Sequence, residues 1–227
     1  NGAFEDFLPF TDVFVTDSYY EAVETCYEKG YFSGTSSSTF SPDVSMTRAM
    51  FVTVLGRLAG VDPEEYRPWY LGELYTDVEE EAWYAPYVCW ATRYGVVNGM
   101  EDGTFQPSKE ITRAEMATIL TRFEVLNPDV NSEAKAVTFK DVSSSYWAAG
   151  YIKTASENGW INGYPDGTFK PGNPITRAET VTMVNRMLNR NPQSLEDMVL
   201  DGMVVFTDNA NQDAWYFLAV QEAANGH

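Results

Sequence analysis

Three arginines hold one position in a recurring tetrapeptide. Arg48, Arg113 and Arg177 each follow a threonine and precede an alanine, and they lie 65 and then 64 residues apart. Two copies, Thr112-Arg-Ala-Glu115 and Thr176-Arg-Ala-Glu179, read as a capping box. There the Thr hydroxyl accepts from the backbone N–H of the third helical residue, and the Glu reaches back to the Thr amide. The first copy keeps Thr47 but has Met50 in place of Glu, so it loses half the box. An arginine at such a position is out of place, because a helix N-terminus carries partial positive charge and unpaired N–H groups that favour an anion. A local rule broken at the same place three times points to a partner. One candidate is an intramolecular ion pair with Asp12, Asp77, Asp141 or Asp208. The other is a carboxylate or phosphate held jointly by helix N–H groups and the guanidinium fork. The two can coexist at one site.

The elements that position these arginines come from a repeat. The segment from Gly34 to Met50 recurs from Gly99 to Glu115 and from Gly163 to Glu179, and the last two copies agree at 11 of 17 positions without a gap. Upstream, Phe10-Thr-Asp-Val13, Tyr75-Thr-Asp-Val78, Phe139-Lys-Asp-Val142 and Phe206-Thr-Asp208 each open an amphipathic stretch. A period of this size means one supersecondary unit copied along the chain. Residues 1–60 form the first unit. Residues 61–124 and 125–190 form the second and third, each with a preceding linker. Residues 191–227 carry a linker and a half unit that keeps Trp215, Tyr216 and Val220 in the places of Trp83, Tyr84 and Val88. All are expected to build one structural domain.

Each unit reads as helix, loop, helix. First helices are predicted from about Tyr19 to Lys29, Tyr84 to Tyr94 and Ala148 to Asn158, on the spacing of residues such as Val23, Cys26 and Tyr27. Gly30, Gly95 and Gly159 suit the left-handed residue that follows a helix end. Asp102-Gly103 and Asp166-Gly167 are turn dipeptides, where the first unit has Ser37-Ser38. Phe40, Phe105 and Phe169 follow the turn and are expected to plug the loop onto the core. The second helices start at the capping box. Met116, Ile119, Leu120 and Phe123, and likewise Val181, Val184 and Leu188, then give one buried face.

Composition excludes several classes. With 227 residues, 44% hydrophobic and 15% aromatic, the chain can bury a real core. No apolar run approaches the roughly 20 residues of a membrane span. The first seven residues lack the basic and apolar regions of a secretion signal, so any signal is expected to have been removed. A net charge of −18 repels polyanions and disfavours nucleic acid and acidic membranes. An anionic ligand must therefore be held by a few local donors. The 33 acidic residues could include a glycosidase pair. The repeats single out none, however, and the only histidine, His227, rules out ordinary His-based triads within the chain. The Asp-Gly loops lack the alternating acidic ligands and terminal Glu of an EF-hand, so neither catalysis nor a metal or cofactor is expected. Cys26 and Cys89 fall in the same helical element of units one and two, as two thiols acting as small hydrophobes or as a disulfide.

The Phe-x-Asp-Val start, the Trp, the Gly-x-x-Asp-Gly-Thr-Phe-x-Pro loop and the Ile-Thr-Arg-Ala-Glu helix start together resemble the S-layer homology domain of bacterial cell-surface proteins. The resemblance implies a mainly α fold: a pseudo-threefold, three-pronged spindle whose first helices form a central three-helix bundle, with grooves between neighbouring repeats. It also implies an extracellular location at the bacterial cell surface. There the domain would attach non-covalently to a secondary cell-wall polysaccharide, typically bearing a pyruvate ketal on N-acetylmannosamine, and anchor a cargo domain elsewhere in the parent chain. A protein-interaction or surface-lattice module is the alternative, since tandem helical repeats also bind proteins.

A pyruvate ketal presents one carboxylate on a sugar ring, which suits an Arg fork at a helix N-terminus. Trp83, Trp147 and Trp215 could floor the sugar or pack between repeats. Gly34, Gly99 and Gly163 could admit a ligand to the backbone, or serve turn geometry. If each groove joins the second helix of one repeat to the first helix of the next, Arg48 should meet the Asp77 and Trp83 region, and Arg113 should meet Asp141 and Trp147. Arg177 should then meet Asp208 and Trp215, and removing residues 206–227 should damage that third groove most. The first unit departs furthest from the pattern, with Ser18 for Trp, Ser37-Ser38 for Asp-Gly and Met50 for Glu.

Overall fold

The computed structural model describes residues 8–66, 75–124 and 138–188. Asp208, Trp215 and the rest of the half unit lie outside these residues. Among the described residues the regular structure is six α-helices, two per repeat, and three isolated β-bridges. The helices are α1 Tyr20–Glu28, α2 Arg48–Leu58, α3 Ala85–Arg93, α4 Arg113–Glu124, α5 Ala149–Glu157 and α6 Arg177–Met187. The fold is mainly α.

Local chemistry sets the boundaries. The first helix of each unit ends at Gly30, Gly95 or Gly159, whose φ of +72°, +70° and +70° would strain any residue with a Cβ. The second helices start on Thr47, Thr112 and Thr176, whose hydroxyls accept from the third helical N–H at 3.2 Å in each case. Glu115 and Glu179 return the bond to Thr112 and Thr176 N–H at 2.9 Å. The thioether of Met50 leaves α2 without that return bond.

The helices pack in a closed circle. α2 packs against α3, α4 against α5, and α6 against α1. Each second helix thus leans on the first helix of the following repeat, and the third repeat returns to the first. The backbone closes the same circle. Met46 N–H donates to the Ile175 carbonyl at 2.8 Å, Ile111 N–H to the Met46 carbonyl at 2.9 Å, and Ile175 N–H to the Ile111 carbonyl at 3.1 Å. This cyclic order is compatible with a three-pronged spindle.

Burial differs between the two kinds of helix. α1 buries Ala22, Val23 and Cys26 on one face. α2 buries eight of its eleven residues, including Thr53 and Gly56, which is wider than the single face expected. The reason is the circle: α3 covers one flank of α2, and the loop of repeat two closes over its N-terminus. Phe40, Phe105 and Phe169 are fully buried and pack on the opening aromatics Phe10, Tyr75 and Phe139, with ring centroids 5.4, 5.5 and 5.1 Å apart. Cys26 and Cys89 are both thiols, the first buried and the second half-buried.

Candidate functional site in the grooves between repeats

The aspartate of the Phe-x-Asp-Val start holds its own repeat's loop. Asp12 accepts from the N–H groups of Phe40 and Ser41, Asp77 from those of Phe105 and Gln106, and Asp141 from those of Phe169 and Lys170, all at 2.7 to 2.8 Å. The second acceptor pair in each case orders a non-glycine residue at positive φ: Ser41 at 59°, Gln106 at 59° and Lys170 at 55°. These aspartates bridge 28 to 29 residues within a unit. The turn aspartates close on themselves, since Asp102 and Asp166 each accept from the hydroxyl and N–H of the threonine two residues on.

The other side of the same phenylalanine peptide faces the preceding repeat's arginine. Arg48 Nε donates to the Phe105 carbonyl, Arg113 Nε to that of Phe169 and Arg177 Nε to that of Phe40, each at 2.8 Å. Their Nη2 atoms donate to the carbonyls of Asn98, Asn162 and Ser33 at 3.3, 2.8 and 2.6 Å. Each guanidinium also lies over the phenylalanine ring, 4.8, 4.7 and 4.4 Å from the centroid. The arginines are 5–6% exposed and fasten one repeat to the next. Their hydrogen bonds go to backbone carbonyls, and the carboxylate that Arg113 engages is Glu179, at 3.1 Å.

The helix amides beside them are also engaged within the protein. Arg48, Arg113 and Arg177 N–H donate to the carbonyls of Lys109, Asn173 and Val44, and the following alanines donate to Pro107, Pro171 and Pro42. Next comes the N-cap threonine. The first three N–H groups of α2, α4 and α6 therefore already have partners, leaving the guanidinium edge as the donor that faces the groove.

Among the described residues, two of the grooves open as cavities. One, about 410 Å³, is lined by the Tyr31–Thr35 loop and α2 of repeat one, with Arg177 from repeat three and Trp83 from repeat two. The other, about 260 Å³, has the matching parts one step around the circle: the Trp160–Tyr164 loop, α6, Arg113, and Ser18 with Tyr19. Each groove thus belongs to one loop and second helix, receives its arginine from the repeat before, and is walled by the first-helix start of the repeat after. This corrects the tryptophan part of the expected pairing, while Arg48 and Arg113 do reach the loops that Asp77 and Asp141 hold. Trp83 shares a groove with Arg177 rather than Arg48, and Arg177 meets repeat one because the circle closes there.

Electrostatics differ between the two. In the smaller cavity Glu179 Oε1 accepts from Arg113 Nη1 at 3.1 Å and from the Tyr164 hydroxyl at 3.2 Å. Arg186 lines it too, its pKa lowered by burial and by the charge of Arg113. In the larger cavity burial lowers the Arg177 pKa to about 10, with Asp12 opposing. Arg57 lines the same wall and donates to the Ser33 hydroxyl at 3.3 Å.

The tryptophans and glycines fall differently. Trp83 and Trp147 are 58% and 59% exposed, so their faces are open rather than packed in the core. At Gly34, Gly99 and Gly163 a Cβ would stand closer than 3.0 Å to a ring carbon of Phe10, Tyr75 or Phe139, so close packing demands glycine there. Sequence reasoning passed over Arg57, Thr53 and Met50 as groove residues. Their common spacing on α2, at intervals of three and four, was the available signal.

The family model for the S-layer homology domain matches residues 9–50, 74–117 and 138–181. Cell surface glycoprotein 1 of Acetivibrio thermocellus is 33% identical over 205 residues, which is 88% of this chain and 8% of that protein. The cellulosome-anchoring protein of the same organism is 33% identical over 200 residues, 88% of this chain and 42% of that protein. An amylopullulanase of Thermoanaerobacterium thermosulfurigenes is 31% identical over 173 residues, 75% of this chain and 9% of that protein. The chain thus spans less than half the length of each of these relatives.

Proposed function

This chain belongs to the S-layer homology domain family, and we propose that it anchors a parent protein by binding an acidic secondary cell-wall polysaccharide in its inter-repeat grooves. Its place is the bacterial cell surface, as for the surface-layer and cell-surface relatives. The ligand we infer is a terminal pyruvylated N-acetylmannosamine. The observation that supports this most is the larger cavity. Its 410 Å³ falls within the range typical of small-molecule sites, about 300–1,000 Å³. It combines two guanidinium groups with an exposed indole, a pairing that suits one carboxylate on one sugar face.

Catalysis belongs elsewhere in this reading. Among relatives named for enzymes, such as the amylopullulanase and an exoglucanase, the matched stretch is 9% and 15% of the protein. Any activity of the parent protein would sit outside the repeats, with the repeats holding it at the wall. More than one groove on one domain would add avidity on a repetitive polymer.

The test is calorimetry with a short wall glycan ending in pyruvylated N-acetylmannosamine and with its ketal-free twin. Binding confined to the pyruvylated form is expected. Equal binding of both, or of neither, would overturn the proposal.

A further inference from the structure

The cavity of repeat one differs from that of repeat three in two residues and in the bonding of a third, all bearing on an anionic ligand. Met50 occupies the position that Glu179 holds in repeat three. Arg113 Nη1 is taken by Glu179 at 3.1 Å, whereas Arg177 Nη1 has no hydrogen-bond partner among the described residues. Thr53, 2% exposed, lines the cavity, and its Oγ1 lacks a hydrogen-bond partner among the described residues. The matching hydroxyls of Thr118 and Thr182 instead donate to the carbonyl four residues back, each at 2.9 Å. Trp83 walls the cavity of repeat one, and Ser18 stands in its place in that of repeat three.

The geometry points to the groove of repeat one as the acidic-sugar site of this chain, with Met50 as the residue that makes it so. This rests on the reading that the grooves take an acidic wall glycan. In repeat two Glu115, at the same helix position, turns instead to Lys109 at 3.1 Å, but repeat one has Val44 at the Lys109 position, as repeat three has Asn173. A glutamate at position 50 would therefore follow Glu179, occupy the Arg177 edge and repel a ligand carboxylate. Met50 leaves that edge open and adds an apolar wall. Arg177 and Arg57 then face the ligand without an intervening acid, while of the equivalent pair in repeat three Arg113 is paired with Glu179, which lines the cavity beside Arg186. Local donors must decide the matter, because a net charge of −18 repels anions at long range. Burial lowers the Arg177 pKa to about 10 against the opposing charge of Asp12, so the guanidinium stays charged at neutral pH and a bound carboxylate adds a counter-charge at its open edge. The orphaned Thr53 hydroxyl is a second polar contact for the sugar, and Trp83 its apolar face. The departure that makes repeat one look least suited to binding is, on this geometry, what opens its groove.

The decisive variants are Met50→Glu and Met50→Gln, measured in the full chain by calorimetry with the pyruvylated glycan and by thermal unfolding. Met50→Glu is expected to weaken binding by at least about tenfold, since it places a charged acceptor on Arg177. It should raise the Tm, since it restores the capping box and adds an ion pair. Weaker binding in a more stable protein cannot come from unfolding. Met50→Gln, similar in size but uncharged, should bind within about threefold of the parent chain. Unchanged binding by Met50→Glu, or an equal loss in Met50→Gln, would overturn the assignment of Met50 while leaving the wall-glycan reading intact. Failure of the parent chain itself to bind would overturn that reading, and this inference with it.

Discussion

At the scale of single residues, the arginine and the aspartate act on opposite sides of one phenylalanine peptide. In the peptide that joins Phe169 to Lys170, Asp141 accepts from the Lys170 N–H from within its repeat, and Arg113 donates to the Phe169 carbonyl from the repeat before. Truncating Arg113 to alanine would leave the Phe169 and Asn162 carbonyls without that donor and Glu179 without its counter-ion. A loss of about 3–5 kcal/mol is expected in urea unfolding. A loss under about 1 kcal/mol would contradict the fastening role. The same variant is therefore a poor test of binding. Asp141 gives a pH-dependent check. Partial desolvation raises its pKa, but the N–H groups of Phe169 and Lys170 outweigh this and hold the carboxyl below the ordinary carboxylate range. Its contribution is thus present above the unfolded value of about 3.9 and is lost as pH falls through the folded value. Asp141→Asn should be less stable than the parent chain by about 1 kcal/mol at pH 7, and the gap should narrow as pH falls below about 3.9 and close only below the folded value. The difference between the two proteins is the readout, because acid also relieves the repulsion of 33 carboxylates. A gap that persists unchanged at pH 3 would count against the carboxylate bonds.

At the scale of elements, much was legible because it is local. The closing glycines, the capping threonines and the buried loop phenylalanines follow from turn and cap chemistry within a few residues, and the helices begin and end within a residue of expectation. The partners of Arg48, Arg113 and Arg177 were not legible. They are backbone carbonyls, which every residue carries, so composition gives no sign of them. The phase of the grooves was hidden for a related reason. A repeat fixes what each unit contains, but which unit wraps Arg177 depends on whether the chain closes, and Ser33 and Phe40 precede Arg177 by 144 and 137 residues. Met50 shows the reverse case: a visible departure from a cap rule whose consequence lies in the cavity it helps to line.

At the scale of the molecule, closure distinguishes this domain from an open array of repeats. In an open array the loss of a terminal unit removes one interface and leaves the remainder folded. Here deleting repeat one removes α1 from α6 and α2 from α3, two of the three helix pairs, together with the cavity that holds Arg177. The remaining residues 61–227 should lose cooperative unfolding. Removing residues 191–227 should leave one cooperative transition, because α6 already rests on α1. A cooperative, native-like 61–227 fragment would contradict the closed circle. The same closure gives both cavities contributions from three repeats, so under the proposed function glycan binding should require the whole domain to be assembled.

The central claim is that an inter-repeat groove recognises an acidic wall sugar. It is tested most directly by titrating the intact chain with pyruvylated N-acetylmannosamine glycan and with the same glycan lacking the ketal. Saturable binding of the pyruvylated form alone is the predicted result. Indifference to the ketal, in a chain shown to be folded, would contradict it.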